Sequence, residues 1–218
     1  MPDRSELIVK ALLDRCGRTY ADEAGIRLAD TPGPLYQLLV LATLLSAQIS
    51  ADVALAAATE LFHAGYRSAK AMSEASWQDR VDALDRGHYR RYDEKTATML
   101  GDAADLVSTS WHGDLRRMRD EAGGDAARIA TLLTGFPGIG PTGASIFLRE
   151  VQGIWPAVAP YVDGKMISGA RRVGLPADQA QLARLVSGCG RPAELAAALI
   201  RVSISQRAAS EVTAAVPD

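Results

Sequence analysis

Between Thr31-Pro32-Gly33-Pro34 and Ser46-Ala47-Gln48, the chain is nearly free of polar residues. Leu35, Leu38, Leu39, Ala42 and Leu45 recur at steps of three and four, the period of an α-helix, in a segment apolar enough to be buried on most sides. Such a helix cannot stand alone, and it is the candidate central helix around which other elements must pack. The Pro-Gly-Pro run marks its start.

The remaining segments supply helical partners. Ile8, Val9, Leu12 and Leu13 form two apolar pairs one turn apart in Ser5 to Cys16, which Gly17 would stop. Asp52 to Phe62 carries Val53, Leu55, Ala56 and Leu61, and Asp93 to Ser108 carries Ala97, Leu100, Ala104 and Val107. Ser68 to Ala75, Ser76 to Leu84, Gly164 to Val173 and Asp178 to Val186 read as further helices. Ala193 to Ser205 reads as a final long one. Arg18 to Asp30 reads as irregular and Trp111 to Gly124 as a charged loop. Alternating apolar runs are few, so the fold class is all-α.

A chain of 218 residues can bury a sizeable core as one large domain or two small ones. Its net charge of -2 and pI near 5.9 give no overall basic footprint, so any nucleic-acid site must be a local patch. No apolar run approaches membrane-spanning length, and Met1 to Lys10 lacks the basic-then-apolar order of a secretion signal, which predicts a cytoplasmic protein with no membrane partner. Two cysteines, Cys16 and Cys189, are too few for a four-thiolate iron-sulfur cluster and read as reduced structural thiols. His63, His88 and His112 lack the paired spacing of a zinc site, so no catalytic metal is expected.

One turn carries more chemistry than the rest. Phe136-Pro137-Gly138-Ile139-Gly140 has turn residues on both sides of one apolar side chain: the glycines permit positive φ and Pro137 fixes its own. Ile129, Leu132 and Leu133 suggest a short helix before it, with Asp125 as its cap. Pro141 and the stripe Ala144, Phe147, Leu148, Val151 start another after it. In this helix, hairpin, helix unit, the amides of Gly138, Gly140 and the following first turn lack helical acceptors and favour an anion such as a DNA phosphate. An ordinary connection between helices has the same spacing.

Two other stretches stand out. Gln48 falls at a turn where its amide can face outward, as a solvated glutamine also does. In Gly87-His88-Tyr89-Arg90-Arg91-Tyr92, aromatics that could stack on bases alternate with cations that could pair with phosphates, a pattern shared with solvated surface loops.

The order Leu44-Leu45-Ser46-Ala47-Gln48, Gly87-His88-Tyr89, Phe136-Pro137-Gly138-Ile139-Gly140 and Val162-Asp163 resembles the endonuclease III-like members of the helix-hairpin-helix DNA glycosylase superfamily, over roughly Leu35 to Arg172. The resemblance implies two helical lobes with a cleft between them: a helical barrel over 32–156 carrying the hairpin, and a second lobe from 1–31 and 157–218. It implies a monomer acting on double-stranded DNA that contains a lesion or mismatch, with one nucleotide flipped out because a stacked base hides its glycosidic bond. Gln48 matches the glutamine that fills the vacated space, and His88 stands where family members push a wedge between bases. Tyr89, Arg90, Arg91, Gly138, Ile139, Gly140 and Thr142 join them as DNA-binding candidates.

Asp163 matches the catalytic aspartate, whose carboxylate stabilises positive charge on the sugar as the base departs. It also stands where an Asp caps the helix starting near Gly164. The sequence departs from the family at Thr142, where bifunctional members carry a lysine that forms a Schiff base. A threonine hydroxyl forms no imine, so the resemblance implies base removal by water without strand cleavage. Lys165 is the nearest amine in sequence to Asp163. The cysteine cluster that closes many family chains has no counterpart before the Val216-Pro217-Asp218 end, so no iron-sulfur cluster is expected, and the family implies a structural monovalent cation at the hairpin. The alternative is a catalytically silent DNA-binding protein that keeps the hairpin. Alkylated purines, oxidised bases and uracil or thymine mismatches all remain open as substrates.

Overall fold

The computed structural model describes residues 3–216; Met1, Pro2, Pro217 and Asp218 lie outside the described residues. Every regular element among the described residues is a helix, as the apolar periods predict. In chain order these are α1 (Arg4–Cys16), α2 (Tyr20–Glu23), α3 (Pro32–Leu45), α4 (Ala51–His63), α5 (Ala69–Glu74), α6 (Trp77–Arg86), α7 (Asp93–Trp111), α8 (Leu115–Glu121), α9 (Ala126–Leu133), α10 (Pro141–Val151), α11 (Gly164–Val173), α12 (Gln179–Gly188), α13 (Pro192–Ile204) and α14 (Gln206–Thr213). The chain divides into two compact units, Ala21–Leu148 and the combination of Met1–Tyr20 with Arg149–Asp218.

In the first of these units α3 is the buried helix that its composition requires. Leu35, Leu38, Leu41, Ala42 and Leu44 have no exposed surface, and Tyr36 and Leu39 have almost none. Each fully buried leucine contributes about 1.5–3 kcal/mol relative to exposure. Pro32 opens the helix without losing a needed amide. At the other end Thr43 and Ser46 turn their hydroxyls back onto the carbonyls of Leu39 and Ala42, at 2.9 and 2.6 Å. Those bonds satisfy polar groups that the apolar surroundings would otherwise leave unpaired.

Three segments differ from their expected form. The charged stretch expected as a loop contains α8, because Leu115 and Met118 bury completely one turn apart and the Asp114 carboxylate accepts the Arg116 amide at 3.0 Å. The expected final helix stops at Ile204, and α14 follows it at once. Ser205 ends α13 and caps α14 by accepting the Ala208 amide at 3.2 Å, while Ala209 and Val212 seat the new helix. The short α2 also lies inside the stretch expected to be irregular.

The second unit packs α1, α11, α12, α13 and α14 around Leu12, Met166, Ala170, Leu182, Leu195, Leu199 and Val202. α11 and α13 approach so closely that a Cβ added at Gly169 would collide with the Leu199 carbonyl. This close seat fixes the axis of α11, and hence the place of the residue at its N-terminus, Asp163.

Candidate functional site

Asp163 is the N-cap of α11, in extended backbone with φ -121° and ψ 174°. Its Oδ1 accepts the amides of Lys165 and Met166, each at 3.0 Å, which satisfies two of the donors that a helix start leaves open. Its Oδ2 accepts no hydrogen bond among the described residues and lies 3.3 Å from Nη1 of Arg149. The carboxylate is thus split in function, with one oxygen committed to the helix and the other facing a cation.

Arg149 is only 7% exposed. Its Nη1 makes an ion pair by distance but no hydrogen bond, because the N–H groups are not aligned on the carboxylate oxygen. Two polar neighbours are buried with it. Glu150 accepts the Tyr20 amide at 3.1 Å, and Gln152 accepts the Tyr161 amide at 2.9 Å while donating to the Arg149 carbonyl at 3.1 Å. Gln152 therefore ties down the backbone two residues before Asp163. An amphipathic reading of α10 finds its apolar stripe and treats the polar residues between as solvated. The signal it passes over is Arg149-Glu150 set between the buried Leu148 and Val151.

The hairpin lies in the unit Ala21–Leu148. The Ile139 amide donates to the Phe136 carbonyl at 3.1 Å, closing a turn with Pro137 and Gly138 at its centre. Gly138 has φ +83°, the left-handed value that the third position of a type II turn requires. A Cβ added there would lie 3.0 Å from Met99 Sδ and 3.2 Å from Thr43 Cγ2, so space and backbone both select glycine. Phe136 and Ile139, 2% and 4% exposed, anchor the turn, and Phe136 packs on Trp111 with ring centroids 5.6 Å apart. Ile139 is thus buried with its amide already bonded, unlike the exposed residue expected there. Gly138, Gly140 and Thr142 are exposed, and their amides donate to no acceptor among the described residues. The first helical bond of α10 is the one from Ala144 to Gly140, at 3.0 Å.

Gln48 is exposed in the bend after α3. His88 is exposed beyond α6 and holds φ 62°, an uncommon value for a residue with a side chain. Tyr89 differs from the base-stacking role expected of it. Its ring is 2% exposed, and its hydroxyl sits 3.5 Å from the donating Thr96 hydroxyl. Burial pushes the phenol's pKa up and the Thr96 bond works against that shift. Arg90 and Arg91 are exposed, with the Arg91 guanidinium carbon 5.3 Å from the centre of the Tyr92 ring. A cavity of about 240 Å³ is lined by Thr43, Ser46, Gln48, Tyr89, Tyr92, Lys95, Met99 and Gly138, among others. It brings together Gln48, Tyr89 and the hairpin glycine from three separate stretches. The exposed Lys95 beside them carried no signal in the sequence. Of the aromatics that could line a base pocket, Tyr36 and Trp155 are each 1% exposed and belong to the core, whereas Tyr161 is half-buried.

Among the described residues no three His, Cys, Asp or Glu side chains are grouped to hold a metal ion. Neither cysteine is in a disulfide. A hairpin monovalent cation needs hard oxygen donors, and the carbonyls of Gly135, Pro137 and Ile139, which accept no hydrogen bond among the described residues, are oxygens of that kind. No described helix is long and apolar enough to cross a membrane.

Neither a protein-family model nor a curated protein sequence matches the chain. A solved structure titled as a trapped endonuclease III-DNA covalent intermediate, the estranged-adenine complex, is similar at 16% identity and a TM-score of 0.48, over 92% of this chain and 86% of that one.

Proposed function

We propose that the chain is a monofunctional DNA glycosylase of the helix-hairpin-helix superfamily, which hydrolyses the N-glycosidic bond of a flipped damaged or mismatched base. The observation that carries this reading is the divided carboxylate of Asp163: Oδ1 is fixed by two amides while Oδ2 accepts no hydrogen bond. A carboxylate held in this way needs no reorganisation when positive charge develops on the sugar, and fixed charges of this kind lower the barrier most. The same oxygen can orient the attacking water.

The exposed Gly138, Gly140 and Thr142 take a backbone phosphate through their amides, and the carbonyls of Gly135, Pro137 and Ile139 hold the hairpin's monovalent cation. Gln48 and His88 enter the space left by the flipped nucleotide, and Arg90 and Arg91 pair with phosphates. Thr142 stands where a Schiff-base lysine would, and its hydroxyl supports hydrolysis alone. The protein acts as a monomer in the cytoplasm.

A second reading has its own observation. Asp163 already serves a helix and an arginine, so the hairpin could belong to a catalytically silent DNA-binding protein. Base release from duplexes carrying an alkylated purine, an oxidised base, uracil or a mismatched thymine separates the two. Release by the wild type and its loss in Asp163→Asn is the expected result; binding without release on every duplex would establish the silent protein.

A further inference from the structure

A carboxylate placed against DNA meets a polyanion. Each phosphate brought near Asp163 repels it, and displaced water removes the screening that softens this repulsion. A positive charge beside such a group offsets that repulsion and the cost of the water it loses. Arg149 provides that charge. The residue is 7% exposed, and its Nη1 lies 3.3 Å from Asp163 Oδ2.

The pair is close and largely buried but lacks the hydrogen-bond alignment of a stabilising bridge. Arginine usually meets a carboxylate through two parallel hydrogen bonds, and here Nη1 makes none. Buried ion pairs often add little to stability even when well aligned, and a misaligned one leaves a donor unsatisfied at a cost. Arg149 thus sits near enough to neutralise Oδ2 and in an orientation that leaves the oxygen's lone pairs open.

We propose that Arg149 is the counter-ion of Asp163, a positioning residue that lets the carboxylate face the phosphodiester backbone while its Oδ2 stays open to the sugar. The inference rests on the reading above in one respect, that Asp163 faces DNA. It requires no particular lesion.

The test is a double-mutant cycle on affinity for a duplex containing a tetrahydrofuran abasic mimic, from which no base can be released. Arg149→Gln is expected to weaken binding about tenfold. Arg149→Lys, which keeps the charge, is expected to stay within about threefold of the wild type. Adding Asp163→Asn to Arg149→Gln is expected to return affinity to within about twofold of the wild type, because removing both charges restores the local balance. A double variant as weak as Arg149→Gln alone would make Arg149 a direct DNA contact or a fold residue, and an unchanged affinity in the single variant would leave it no role; either result overturns the counter-ion. Thermal melts establish that the variants are folded, and Arg149→Met replaces the glutamine variant in the same cycle if that one is not. Base release is scored separately. Restored affinity without release overturns the glycosylase reading and keeps the counter-ion, whereas release without restored affinity does the reverse.

Discussion

The hairpin and the Asp163 cap both present polar atoms at a helix start, and they do so by opposite means. At the hairpin the side chains of Phe136 and Ile139 are spent on anchorage and the main chain of Gly138 and Gly140 is what remains exposed. At α11 the main-chain amides of Lys165 and Met166 are spent on anchorage and a side-chain oxygen remains. The first arrangement is sensitive to a Cβ added at Gly138 and indifferent to side-chain chemistry. The second is sensitive to a single atom of one side chain and tolerant of anything that can cap. The contrast separates a binding role, which needs donors in a fixed array, from a chemical role, which needs one charge in a fixed place.

The largest effect should come from that one charge. Asp163→Asn keeps an oxygen for the Lys165 and Met166 amides, and asparagine caps as well as aspartate, but it leaves the buried Arg149 without its countercharge, so the melting temperature is expected to fall by several degrees while the protein stays folded. Base release should fall by about a hundredfold to a thousandfold, the range for losing a fixed electrostatic partner of a transition state. A variant as active as the wild type would erase the distinction between the two helix starts.

Next is the seat of α11. Gly169→Ala drives a methyl group into the Leu199 carbonyl, and the overpacking should lower stability by about 1–3 kcal/mol in urea unfolding. An unchanged midpoint would mean that α11 shifts freely, and that Asp163 is not held as firmly as the hairpin. Gly138→Ala should cost less in stability, about 1–2 kcal/mol for a left-handed alanine, yet weaken duplex binding several-fold, since the displaced turn carries the exposed amides. Retained affinity would remove the hairpin from the DNA interface. The smallest expected signal is none: borohydride trapping with damaged duplex should give no covalent adduct, because Thr142 has no amine, and a robust adduct would point to Lys165 or another lysine.

The sequence made some of this legible and hid the rest for physical reasons. α3 was readable because an uninterrupted apolar helix has few other places to go, and the hairpin because Pro137 and Gly138 are the residues a type II turn selects. The cap at Asp163 followed from an acidic residue before a helical period. α8 and α14 were hidden because each buries only two residues, a stripe too thin to rise above the charges around it. Tyr89 looked like a surface aromatic because its arginine neighbours are solvated, yet a tyrosine has an apolar body that packs whenever a core lies beneath it. Arg149 was hidden most completely. Periodicity sorts polar residues outward, and only the folded chain shows that this one turns inward to meet a carboxylate fourteen positions later.

The double employment of Asp163 also bears on how such a protein can lose and regain its chemistry over generations. A lineage released from selection for turnover would still be selected for a capping residue at position 163, and asparagine, serine or threonine would serve it. The backbone there, seated by Gly169 against α13, would stay as it is. A drifted asparagine would therefore lie a single nucleotide change from an aspartate delivered into an intact setting. Folding alone would preserve that setting through periods when function does not.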